Sequence, residues 1–210
     1  MTGDVTGAEA VFAEYEAARR RAADLMIDFA RAQWDYLRGK RRDAMLGMEK
    51  FAGVTRDKQA AALADCAITV WLLEAGDRES ARKRTACRFL AEPDGKSFPS
   101  PMLHVYALLL AKDFQAALLL LRELDARTPP SPVASTPTLL AWALVESGHF
   151  DEAEKYLQTT PVPAAPSPDP FQFLIFPRIF YLRAKVAEKR GAKPLAEQNY
   201  RLFEILAGRG

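Results

Sequence analysis

The chain has 210 residues, enough to bury a substantial core, and its 49% apolar and 27% charged content is that of a globular protein. Its 29 basic and 27 acidic side chains leave a formal net charge of +2, so no global field draws it to nucleic acid or an anionic bilayer. Two cysteines and two histidines exclude a disulfide-stapled scaffold, a four-cysteine zinc site and a histidine-rich metal centre, so neither metal nor cofactor is expected.

Residues 1–24 carry Asp4, Glu9, Glu14, Glu16, Arg19, Arg20, Arg21 and Asp24, which leaves no apolar run for a targeting signal. Nowhere do about 18 apolar residues run together, so no membrane span is expected and a cytoplasmic, reducing location is the default. Residues 8–37 read as one long helix with a heptad-like stripe of Val11, Tyr15, Ala18, Ala22, Leu25, Phe29, Ala32 and Tyr36. Such a stripe either caps the first hairpin or pairs with another chain.

From residue 39 onward a short pattern recurs: GKRRDA, GDRESA, KDFQAA, GHFDEA and GAKPLA. Each ends on an alanine, at Ala44, Ala81, Ala117, Ala153 and Ala196, with spacings of 37, 36, 36 and 43. Helical apolar spacing flanks each copy, as with Leu140, Leu144 and Val145 before Gly148, and Ala153, Tyr156 and Leu157 after it. Each unit is therefore a pair of helices, A and B, around a tight turn. Asp151 and Glu152 suit the positive start of a B helix. Proline-rich stretches at 93–101, 129–137 and 161–170 separate the hairpins, because proline breaks a helix interior. No strand pattern occurs, and the chain reads as all-α.

Directly after the longest proline stretch, residues 171–181 (FQFLIFPRIFY) hold a cluster of aromatics. These side chains pack as core, form a docking patch, or fold back over the groove. The last helix is apolar on two faces, with Leu195, Leu202 and Ile205 beside Ala196, Tyr200 and Phe203, which suggests self-association at that end. Basic clusters at 38–42 and 82–88 fall at the starts of B helices, where interleaved acids point to a solvated face rather than nucleic-acid binding.

The units resemble the tetratricopeptide repeat. The third unit carries the motif on Leu140, Ala141, Leu144, Gly148, Phe150, Ala153 and Leu157, and the second on Leu108, Phe114, Ala117, Leu121 and Pro129. The fourth carries Phe180, Ala184, Gly191, Ala196 and Tyr200, and the first only Leu72, Gly76 and Ala81. The period is 36 rather than the family's 34, and the aromatic before the alanine is replaced by Arg78 and Lys193 in units one and four.

The resemblance implies a right-handed α-solenoid of four to five hairpins. Residues 1–59 would form a long helix and a degenerate hairpin, continuous with four hairpins over 60–210. It implies a protein–protein adaptor or scaffold, with a self-assembling module as the alternative and a nucleic-acid-associated factor as a third class. Carried over residue by residue, the family's groove positions are Cys66, Val70, Met102, Tyr106, Leu109, Thr138, Trp142, Glu146, Arg178, Tyr181 and Lys185. Tyr106 and Trp142 are the expected anchors for a partner peptide or helix. The Lys/Asn pattern used by some members to clamp a C-terminal carboxylate does not occur.

Signals for catalysis are weak. Ser147, His149 and Asp151 surround a turn without the setting of a nucleophile elbow, and His104 reads as a core or groove histidine. Cys66 and Cys87 lack CxxC spacing, although one hairpin could bring them together. There is no phosphate-binding glycine loop and no HExxH, so no enzymatic activity is expected.

Overall fold

The computed structural model describes residues 5–84, 100–127, 136–160 and 170–207. Among these residues there are eleven α-helices and no strand. A leading helix α1 (Val5–Arg21) precedes five hairpins. These are α2 (Met26–Leu37) with α3 (Arg41–Val54), α4 (Lys58–Glu74) with α5 (Arg78–Lys83), and α6 (Ser100–Leu110) with α7 (Phe114–Arg127). Then come α8 (Thr136–Glu146) with α9 (Phe150–Thr159), and α10 (Pro170–Lys189) with α11 (Lys193–Leu206).

One turn closes all five hairpins. Gly39, Gly76, Lys112, Gly148 and Gly191 take φ values of 73°, 83°, 62°, 82° and 75°. The next residue then donates its N–H to the carbonyl five residues back: Lys40 to Asp35, Asp77 to Leu72, Asp113 to Leu108, His149 to Leu144, and Ala192 to Ala187. These are helix-ending bonds that satisfy carbonyls left over from each A helix. The same residue accepts the N–H of the repeat alanine four positions on, so Ala44, Ala81, Ala117, Ala153 and Ala196 each lie in the first turn of a B helix. All five alanines are buried. Asp77 and Asp113 also cap their B helices through side-chain oxygens that accept from Ser80 and Ala116.

The N-terminal expectation needs correction, because residues 8–37 are two helices rather than one. Ala23 takes φ 53° and Asp24 donates to the Arg19 carbonyl, which is the same five-residue closure without a glycine to announce it. Helix α1 thereby folds back on α2. Phe12 stacks on Trp34 at 4.9 Å, and Glu9 accepts from the Trp34 indole and from Arg38. The stripe is split: Val11, Tyr15 and Leu25 are exposed, whereas Phe29 and Ala32 are core.

Two smaller corrections concern the helix starts and His104. Pro101, Pro137 and Pro170 sit in the first turns of α6, α8 and α10 rather than in loops, where a missing N–H costs nothing. Residues 93–99, 129–135 and 161–169 lie partly or wholly outside the described residues. His104 is exposed on α6, so it is not a core histidine.

The turn yields two opposite stability predictions. Gly148→Ala meets no atom within 4 Å, so its cost is conformational, about 1–2 kcal/mol in urea unfolding. Lys112→Gly relieves a side chain held at φ 62° and should stabilise by about 0.5–1 kcal/mol.

Candidate functional site: the concave face

Among the A helices, α4 touches α6 and α6 touches α8. Helix α10 touches α8 and α9, as its place in the stack requires, and it also touches α4 and α2. It is twenty residues long where α6 and α8 have eleven, and its extra length lies at the N-terminal end. That end is rich in apolar side chains, with Ile175, Ile179 and Phe180 buried and Phe176 edge-on to Phe180. The side chains of residues 171–174 lie outside the description. An apolar helix that lies across the inner faces of earlier hairpins hides them from water.

Of the eleven groove positions carried over from the repeat family, seven are buried: Cys66, Val70, Met102, Tyr106, Leu109, Thr138 and Trp142. They are packed interior of the concave strip rather than its open surface. Arg178, Tyr181 and Lys185 on α10 are half-buried and Glu146 on α8 is exposed. Cys66 is disulfide-bonded rather than a free thiol, and Cys87 lies outside the described residues.

Four successive A helices each contribute one side chain to a single cluster. Tyr106 of α6 donates its hydroxyl to Glu74 Oε2 of α4 at 2.6 Å. Arg178 of α10 places Nη2 3.5 Å from Glu74 Oε1, across 104 positions of sequence. The same guanidinium lies over the Trp142 ring of α8, 3.6 Å from its centroid, and Trp142 meets Tyr106 edge to face at 5.9 Å. The cluster thus combines a carboxylate, a phenol, an indole and a guanidinium, with Glu74 and Arg178 each about one-fifth exposed. Nearby, Tyr36 stacks on Trp71 at 4.5 Å. Sequence reasoning found Tyr106, Trp142 and Arg178 but missed Glu74, whose only local signal is a carboxylate two residues before the turn glycine.

Burial, reinforced by the Glu74 charge, pushes the Tyr36 phenol up to about 12 and the Tyr106 phenol well above its usual value. Lys185 lies over the Tyr181 ring at 5.9 Å, and Tyr181 in turn packs against Tyr200 and Phe203 of α11. Other sequence candidates do not converge. Asp151 pairs with Arg190 across to the end of α10, while Ser147 and His149 flank the Gly148 turn. Among the described residues no group of three or more His, Cys, Asp or Glu side chains could hold a metal ion. In the basic clusters Arg38 pairs with Glu9, Arg41 lies over Tyr36, Lys83 pairs with Glu79 and Arg84 with Glu49 and Asp65, while residues 85–88 lie outside the described residues.

A phenol whose folded pKa exceeds its unfolded value of 10.0 keeps its full stabilising effect below that value and loses it as pH rises through the folded pKa. Stability should therefore fall between pH 10 and about 12, and Tyr36→Phe should flatten that fall in urea titrations at stepped pH. Trp142→Ala removes a buried ring and the support beneath Arg178, and should cost about 3–5 kcal/mol by the same method.

Residues 108–170, from the end of α6 to the start of α10, match the family model of the tetratricopeptide repeat. No curated protein and no solved structure matches the chain significantly. The match agrees with the structure: residues 108–170 are tetratricopeptide-like, within a chain of helical hairpins that share one turn and its buried alanine.

Proposed function

We propose that the chain is a protein–protein interaction scaffold that recognises its partner at the rim of the concave strip, where Glu74, Glu146, Arg178, Tyr181 and Lys185 stay accessible over a floor of Tyr106 and Trp142. Tetratricopeptide repeats are in general modules for protein–protein interaction, which supplies the class. The observation that carries the rim is the state of Arg178. Its guanidinium carbon lies 3.6 Å from the Trp142 ring centroid, its side chain is 20% exposed, and among the described residues its carboxylate contact is with Glu74 at a long 3.5 Å. A guanidinium held over a ring is restricted in orientation, so its solvent-facing edge is prepared for a carboxylate on a partner segment.

Tyr106 and Trp142 act in this scheme as the support that holds Arg178 and Glu74, rather than as anchors that touch the partner. The closed strip favours a short acidic segment laid along the rim over a helix inserted into an open groove. Among the described residues no helix is long and apolar enough to cross a membrane. The pairing of the basic clusters within the chain supports a protein partner over a nucleic acid.

The test is recovery of partners from the native host's lysate by wild type, Arg178→Lys and Lys185→Glu, each first shown to be folded by circular dichroism and urea unfolding. A protein enriched by wild type and reduced at least about tenfold by both variants supports the rim. Equal recovery by all three places the interaction on another surface.

A further inference from the structure

Helix α1 is fixed to its own chain by a narrow stripe, with Phe12 buried on α2 and Glu9 and Glu16 paired to Arg38 and Arg31. Its flank is left uncovered. Val11 is 68% exposed and Tyr15 36%, and Ala18, with Ala22 in the turn just past the helix end, is exposed as well. These four residues keep alternating spacings of four, three and four, the pattern of a two-helix seam.

The charges beside that seam point to one occupant. Arg19 pairs with Asp24, and Arg20 with Glu16 and Asp28. Glu14 and Arg21 make no ion pair or side-chain hydrogen bond among the described residues. They are of opposite sign and fall on the same side of the seam, one heptad apart. In an antiparallel pair, Val11 faces Ala22 and Tyr15 faces Ala18 of the other copy, and the symmetry repeats both layers. In that alignment Glu14 of each copy comes within about two residues, roughly 3 Å along the axis, of Arg21 of the other. In a parallel pair Glu14 would instead face Arg19, which Asp24 already holds, and Arg21 would face no residue of the helix.

We propose that α1 is a homodimer interface at which a second copy of this chain docks antiparallel, through Val11, Tyr15, Ala18 and Ala22, with reciprocal Glu14–Arg21 ion pairs. The seam is short and rich in alanine, so the dimer is weak and reversible, and it leaves the concave rim of each copy facing outward for its own partner. This surface is independent of the proposed rim, and either can fail without the other.

Sedimentation equilibrium of the full chain tests it, with wild type, Glu14→Arg, Arg21→Glu and the double exchange Glu14→Arg/Arg21→Glu. Both positions are exposed and unpaired, so the fold is retained, which circular dichroism checks. The expected result is a concentration-dependent dimer whose dissociation constant rises on the order of tenfold in either single variant. The double exchange should restore it, and high salt should weaken wild type. A wild type that is monomeric at every concentration overturns the proposal and leaves the stripe for a different protein. A dimer unchanged by the single variants and by Val11→Glu overturns it in favour of another face of the chain.

Discussion

The structure depends on a backbone constraint repeated at five places. Each A helix ends where one residue enters the left-handed region, and the bond from the following N–H to the carbonyl five residues back fixes the direction of the B helix. The buried alanine four residues later lets that helix lie close to its neighbours. A larger side chain there would overpack the crossing. Stacked hairpins of this kind share one continuous core, so an error at one turn is felt mainly by the adjacent units.

What distinguishes this molecule from a plain stack is the reach of α10. It touches α4 and α2 as well as α8 and α9, and the expected groove positions on α4 and α6 are buried. Charged groups can stay in such an interior only if they are paired or partly wet. Glu74 and Arg178 meet that condition by pairing with each other, with Tyr106 and Trp142 completing their surroundings. The function proposed for this face therefore rests on its edge, where Glu74 and Arg178 are partly exposed.

The repeat was legible because it is local. Gly39, Gly76, Gly148 and Gly191 announce the turns, the alanines announce the crossings, and the prolines announce the breaks. Two left-handed positions, Ala23 and Lys112, carry side chains and give no such signal. The Lys112 turn was recovered only through its neighbours in the repeat. The Ala23 turn had no repeat to expose it, and a continuous heptad stripe concealed the break. The candidate site was less legible than the fold. Tyr106, Trp142 and Arg178 could be selected by register, but their burial depends on the path of α10. Glu74 becomes meaningful only once two helices more than 100 residues apart in sequence are in contact.

That contact is the point at which the account is most exposed. A double-mutant cycle on Glu74→Gln and Arg178→Met, read by urea unfolding, measures the coupling between α4 and α10 directly. Closure of the strip predicts a coupling of about 1 kcal/mol or more, because each charge relies on the other in a partly dehydrated setting. Effects that add to within about 0.3 kcal/mol would mean that the two side chains do not meet, and the concave face would then be open.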